Sequence, residues 1–208
     1  MNRNERLRPG QEPACWNHNT AYYGWLRRET AACRTILDVG CGNGMLCAFL
    51  HDGTKALVGI DPDQHCILAA QRLVGSNAAF HCADFLTHDF DGTFDSVIFV
   101  ASLHHMDMEQ AIRKAKRLLN PGGRLLIVGL AKPSSIPDHI IEALRVLPCA
   151  VISRAKHMAA SEALNIPVSY DFPAMRDVRA MARKLLPGAK LRYGLYYRYL
   201  LSWEAPYV

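Results

Sequence analysis

Between Thr35 and Gly44 the chain reads T-I-L-D-V-G-C-G-N-G, with one carboxylate, Asp38, two residues ahead of three glycines at alternate positions. Gly40, Gly42 and Gly44 tolerate φ > 0 and carry no Cβ that would hold a ligand off the backbone. The spacing is G-x-G-x-G, not the G-x-G-x-x-G of dinucleotide-binding turns. An acid placed inside such a turn repels a pyrophosphate and attracts an ammonium or sulfonium group. A second carboxylate, Asp61, follows Gly40 by 21 positions, the separation at which a βαβ unit returns to its ligand with an acid for ribose hydroxyls. Further on, Ala101-Ser102-Leu103-His104-His105-Met106 leaves the carboxyl end of an apolar run, the place where doubly wound sheets bind their ligands. An imidazole there serves as a base only if the attacking group arrives protonated.

These groups need strands and helices to hold them. Thr35, Ile36, Leu37 and Val39 predict a strand buried on both faces, and Met45 to Leu50 turns helical, with free N–H groups that suit a carboxylate as well as a phosphate. Lys55 to Asp61 reads as a second strand, Pro62 fits the first turn of a helix from Asp63 to about Val74, and Ala79 to Cys82 and Phe94 to Val100 read as strands three and four. Asp107, with Gln110 three residues later, predicts the start of a helix to Leu119, which Asn120-Pro121-Gly122-Gly123 stops before a fifth strand, Arg124 to Leu130. Ile136 to Leu147 is apolar at helical spacing, Ala150 to Leu164 is mixed, and Asp177 to Leu186 predicts the last helix. Ala189 to Tyr193 and Tyr197 to Glu204 then alternate as a hairpin around Gly194. Near the N-terminus, Trp16, Tyr22, Trp25 and Leu26 recur at helical spacing, with Asn19 or Thr20 available as a cap. Neighbours on a helix point about 100° apart, so Tyr22 and Tyr23 are not expected to face one core, and one hydroxyl is left for a ligand or water.

The strand-bounded T-I-L-D-V-G-C-G-N-G with Asp61 in register resembles motif I of the class I S-adenosylmethionine-dependent methyltransferases. F-D-S-V with the later L-H-H, and L-L-N-P-G-G-R-L-L-I-V, resemble further stretches of that family, so the resemblance covers about residues 35 to 130. It implies an α/β, doubly wound, mostly parallel seven-stranded sheet in the order 3-2-1-4-5-7-6, closed by a C-terminal antiparallel hairpin. Within a single domain, 1–208, it divides the chain into an N-terminal helical cap at 1–34, a cofactor-binding core at 35–133, a lid insertion at 134–172 and the last helix and hairpin at 173–208. The implied cofactor is S-adenosyl-L-methionine, surrounded by Asp38, Gly40, Cys41, Gly42, Gly44, Asp61, Pro62, Asp84, Phe85 and Val100. Asp84 would accept from the adenine amine while Phe85 lies along the ring, chemistry that both side chains suit. His104 would stand beside the acceptor, with Tyr22 or Tyr23 touching the acceptor or the cofactor. The implied reaction is methyl transfer to an N, O, S or C nucleophile of a small-molecule acceptor.

Composition is consistent with this. A chain of 208 residues, 50% apolar and 21% charged, buries one sizeable core. The first ten residues, MNRNERLRPG, lack a signal-peptide core, and no apolar run reaches membrane-span length, so a cytoplasmic protein is expected. Seven cysteines, at 15, 33, 41, 47, 66, 82 and 149, form no C-x-x-C pair, which favours reduced thiols and no metal site. From Arg176 to Arg198 seven basic residues face Asp177 alone, which admits an RNA or protein methyltransferase as an alternative. Against nucleic acid stand the missing aromatic interleaving and the absence of an N-P-P-Y-like tetrapeptide. A non-catalytic cofactor-binding partner subunit is the remaining alternative; oligomeric state is not legible.

Overall fold

A computed structural model describes residues 17–141, 172–195 and 197–207. Seven strands, β1 (Thr35–Val39), β2 (Ala56–Asp61), β3 (Ala78–Cys82), β4 (Phe94–Val100), β5 (Leu119–Leu130), β6 (Lys190–Tyr193) and β7 (Arg198–Glu204), form one sheet in the order β3-β2-β1-β4-β5-β7-β6. Strands β1 to β5 pair in parallel, and β7 runs antiparallel to both of its neighbours. The helices are α1 (Tyr23–Glu29), α2 (Met45–Leu50), α3 (Gln64–Val74), α4 (Met108–Arg117), α5 (136–141 among the described residues) and α6 (Met175–Leu185). Both the doubly wound order and the terminal hairpin match the expected fold class.

Period-two alternation decides which layer each strand residue serves. Leu37, Val39, Val97, Phe99, Leu125 and Ile127 point to one face, where they pack with Ala111, Ile112 and Ala115 of α4 and Val178, Ala182 and Leu185 of α6. Ile36, Leu57, Ile98, Leu126 and Val128 point to the other, against Trp25 and Leu26 of α1 and Leu46, Phe49 and Leu50 of α2. Burial on both faces explains why these strands read as continuous apolar runs. The order reverses between β2-β1 and β4-β5, so a crevice opens where the carboxyl ends of β1 and β4 diverge.

Several local expectations change. The fifth strand begins at Leu119, which pairs with Phe94 before the register shifts and resumes at Ser96 with Arg124. Asn120-Pro121-Gly122-Gly123 is thus an irregularity inside β5, with Gly122 at φ 72°, and not the stop of the preceding helix, which ends at Arg117 with Leu118 as its cap. Asp63, not Pro62, starts α3: its side chain accepts from the His65 and Cys66 N–H groups, and Pro62 lies outside the helix. A 3-10 turn, Thr20–Tyr22, precedes α1 and is capped by neither Asn19 nor Thr20 as expected. Asn17 does this, its Oδ1 accepting from the Asn19 and Thr20 N–H groups while Thr20 Oγ accepts from the Asn17 N–H. Trp16 and most of the expected lid, residues 142–171, lie outside the described residues.

Candidate functional site

The glycine turn is hung on β2. Gly40 and Cys41 both donate to the Ile60 carbonyl, at 2.8 and 3.1 Å, and Gly44 donates back to the Cys41 carbonyl. All three glycines adopt positive φ, at 71°, 51° and 78° for Gly40, Gly42 and Gly44. Their surroundings differ. A Cβ on Gly40 would collide with Ser102, and one on Gly44 would press into Ala70 of α3, so these two make room for neighbouring protein. A Cβ on Gly42 would meet nothing within 4 Å, which makes Gly42 the place where the turn faces open space for a ligand. Behind the turn α2 has only six residues, so the backbone of the loop contributes more here than a helix dipole does.

Asp61 ends β2 with both carboxylate oxygens anchored: Oδ2 accepts from the Gly42 N–H and Oδ1 from the Asp63 N–H, each at 2.9 Å. Each oxygen retains acceptor capacity, which fits a ribose diol over the turn. Asp38 sits in β1 itself and not in the turn as expected, 3% exposed, with the Cys47 thiol donating to Oδ2 at 3.8 Å. Burial first, then the Asp61 charge, pushes its pKa up to about 7. Burial raises the Cys41 and Cys47 thiols as well, which leaves both protonated. Asp84 follows β3, exposed, with one oxygen accepting from the Leu86 N–H. Phe85 departs from expectation. It is 3% exposed and meets Phe99 edge-on at 5.6 Å, so its ring fills the core and offers no face to adenine. Val100, half-buried at the end of β4, and exposed Pro62 border the same edge.

The turn after β4 carries strain at Ala101, a non-glycine residue at φ 53°. It aims Ser102 at β1, where the hydroxyl donates to the Val39 carbonyl at 2.5 Å. His104 follows in a short 3-10 turn, half-buried, with its ring edge-on to Phe172 at 5.2 Å and beside His105 at 4.0 Å. Its Nδ1 is buried and has no hydrogen-bond partner among the described residues. Burial, then His105 and Arg198, lowers its pKa to about 4. The ring is therefore neutral at pH 7, and it is a weaker base than an ordinary imidazole.

Tyr22 and Tyr23 are both buried, 9% and 7% exposed, and belong to one apolar cluster, which overturns the expectation that they would not face one core. Tyr22 belongs to the 3-10 turn and Tyr23 opens α1, so their side chains reach different neighbours from one segment. Tyr22 donates its hydroxyl to the Leu195 carbonyl at 2.8 Å. Tyr23 packs on Phe49 at 5.5 Å, and burial followed by Asp38 and Cys47 pushes its hydroxyl well above the usual tyrosine pKa.

Three features escaped the sequence reading. Arg198, read as one of a basic run, opens β7 opposite Leu130 of β5, is 8% exposed and donates through Nε and Nη2 to Asn19 Oδ1. Asp138 is a buried hub, its side chain 1% exposed, accepting from the Ser134 N–H and hydroxyl, from Arg179 and from the Tyr193 hydroxyl. Its signal was present as Ser135-x-x-Asp138, a capping-box spacing in which the Asp138 N–H donates to Ser135 Oγ. Ser102 left no signal, because one small residue after a strand looks like any loop. The basic run itself disperses in space: Arg179 joins Asp138, Lys184 pairs with Glu109, Arg192 lies over Trp25, and Arg198 is buried.

Residues 37–127 match the family model described as "Methyltransferase domain". A relative from Mycobacterium tuberculosis, named as an uncharacterized methyltransferase, is 31% identical over 196 residues, which span 92% of this chain and 98% of that one. The sugar N-methyltransferase KedS8 of Streptoalloteichus sp ATCC 53650 is 28% identical at a TM-score of 0.50, over 54% of this chain and 49% of that one. The N-methyltransferase NodS of Bradyrhizobium japonicum WM9, in complex with S-adenosyl-L-homocysteine, shares the fold at a TM-score of 0.59 and 18% identity, over 89% of this chain and 86% of that one. With its seven-stranded sheet and an open Gly42 turn facing the Asp61 carboxylate, the chain belongs to the class I S-adenosylmethionine-dependent methyltransferases.

Proposed function

We propose that this methyltransferase acts on a small-molecule acceptor in the cytoplasm, and that its acceptor stands at the sheet edge where β4, β5 and β7 meet. When bound, S-adenosylmethionine supplies a methyl group activated by a sulfonium. Asp61, Asp84 and the backbone at Gly42 would hold it, with Asp38 favouring its positive charge. Methyl transfer is a displacement at carbon, so alignment and exclusion of water do most of the catalytic work.

The observation that carries the reading is the way the N-terminal segment ties down this edge. Asn19 accepts from Arg198 and Tyr22 donates to Leu195, which fixes the 3-10 turn against the β6–β7 connection near His104. A groove for a polynucleotide would need this edge open and lined by exposed cations. The likeness to a sugar N-methyltransferase supports the same reading.

Labelled S-adenosylmethionine incubated with the protein and with separated small-molecule, RNA and protein fractions of a cell extract tests it. Label is expected in the small-molecule fraction. Label in RNA or protein would overturn it in favour of a macromolecular acceptor, and cofactor binding without transfer to any fraction in favour of a non-catalytic partner.

A further inference from the structure

Asp38 is the more deeply enclosed of the two carboxyls at the glycine turn, and it is poorly supplied with donors. It is 3% exposed, and the one hydrogen bond it accepts among the described residues comes from the Cys47 thiol at 3.8 Å, a weak donor at long range. A carboxylate taken out of water ordinarily accepts several N–H or O–H bonds or faces a cation. Among the described residues Asp38 has neither.

The titratable groups around it come from each element packed against it: Asp61 at the end of β2, Cys41 in the turn, Cys47 in α2 and Tyr23 in α1. Its register partners on β2 and β4, Gly59 and Ile98, carry no charge. Both thiols and the Tyr23 hydroxyl are held protonated, first by burial and then by Asp38 itself. Asp61 adds a like charge. Every one of these neighbours is neutral or negative, so burial and Asp61 together favour the protonated acid.

Asp61 also shows where a ligand charge would be felt. Its Oδ2 accepts from the Gly42 N–H at 2.9 Å, beside the part of the turn that faces open space. A negative charge at that place opposes ionisation of Asp38, so a positive charge seated against the same place favours it, without direct contact. S-adenosylmethionine carries an ammonium and a sulfonium, and methyl transfer removes only the second.

Building on the reading that this turn holds the cofactor, we propose that Asp38 is a proton-coupled specificity residue, whose carboxyl keeps its proton in the cofactor-free protein and releases it when a cationic group of S-adenosylmethionine occupies the turn. One O–H bond breaks, its electron pair stays on Asp38, and solvent takes the proton. Proton and cofactor thus compete for one carboxylate, and cofactor affinity falls as the solution is acidified below neutrality.

Calorimetric titration of S-adenosylmethionine at pH 6.0, in two buffers of different ionisation enthalpy, counts the protons released by wild type and by Asp38→Asn. Wild type is expected to release about 0.5 proton or more per cofactor bound, and Asp38→Asn less than about 0.2. From pH 7.5 to 5.5 affinity should drop about fivefold or more in wild type and stay within about twofold in the variant, which cancels any titration of the ligand itself. S-adenosylhomocysteine keeps the ammonium and lacks the sulfonium: release with both ligands assigns the ammonium as the partner charge, and release with S-adenosylmethionine alone assigns the sulfonium. Binding without proton release in wild type, or release that persists in Asp38→Asn, would overturn the proposal while leaving the cofactor reading intact. No binding of S-adenosylmethionine at any pH would overturn both. Asn keeps the shape of the neutral acid, a thermal melt at pH 6.0 controls for its folding, and the wild-type proton count tests the proposal without the variant.

Discussion

The Ser102 hydroxyl donates to the Val39 carbonyl at 2.5 Å, and its side chain occupies the space that a Cβ on Gly40 would need. The last residue of β1 and the turn after β4 are thereby locked together at the point where the strand order reverses. Gly40 is required by this contact, whereas Gly42 is required by its φ and, on the proposed cofactor site, by the ligand. Gly40→Ala is therefore predicted to destabilise the fold by about 2–4 kcal/mol, since the clash adds to a left-handed backbone. Gly42→Ala should cost about 1–2 kcal/mol of stability but more than tenfold in cofactor affinity. Thermal melts and calorimetry on the two variants check this; equal stability losses would refute the division of roles.

Asp38 links the stability of the fold to pH. Its folded pKa, about 7, lies above that of an exposed carboxyl, so between roughly pH 4 and 7 the folded state holds a proton that the unfolded state has released. Stability from this group is present at low pH and lost as pH rises through 7, with a slope of at most about 1.4 kcal/mol per pH unit. His104 acts in the opposite sense, since its depressed pKa makes stability rise with pH between about 4 and 6.5. The difference between wild type and Asp38→Asn isolates the first effect, and wild-type stability should fall relative to the variant from pH 5 to 7. Curves that stay parallel would exclude the shift.

His104 near pKa 4 is predicted to orient the acceptor and not to deprotonate it. His104→Ala should lower kcat by about tenfold or more while cofactor affinity stays within a few fold. The kcat profile of the wild type should show no limb near pH 6.5. A limb there that disappears in His104→Ala would restore the role of general base.

Asp138 is predicted to be structural. Asp138→Ala leaves Arg179 and Tyr193 without their buried acceptor and should cost about 2–4 kcal/mol in a denaturation curve, with little change in cofactor affinity. Those partners hold the Asp138 carboxyl below the usual range, so its contribution is present at neutral pH and lost in acid. A neutral effect on stability would contradict this role.

Activity is predicted to persist in excess chelator, because among the described residues no three His, Cys, Asp or Glu side chains are grouped to hold a metal ion. Loss of activity with chelator, restored by magnesium, would reveal a site formed with other residues.

What was legible in the sequence followed from repetition. β1, α2 and β4 fall where the apolar runs put them, and Asp61 lands on the glycine turn, because strand–turn–helix spacing determines both. What was not legible depends on partners distant in sequence. Phe85 looked free to stack on a ring until Phe99 and Phe90 enclosed it. Tyr22 and Tyr23 looked incompatible because a continuous helix was assumed, whereas the chain changes from a 3-10 turn to α1 between them. Arg198 read as surface charge because its burial depends on Asn19, 179 residues away.

The central claim is that Asp61, anchored to Gly42, holds S-adenosylmethionine over the glycine turn. Calorimetric titration of wild type and Asp61→Ala with S-adenosylmethionine, S-adenosylhomocysteine, NAD and ATP tests it most directly. Micromolar-range binding of the first two, at least tenfold weaker in Asp61→Ala, and no binding of NAD or ATP are predicted; unchanged affinity in Asp61→Ala, or NAD or ATP bound as tightly as S-adenosylmethionine, would contradict the account.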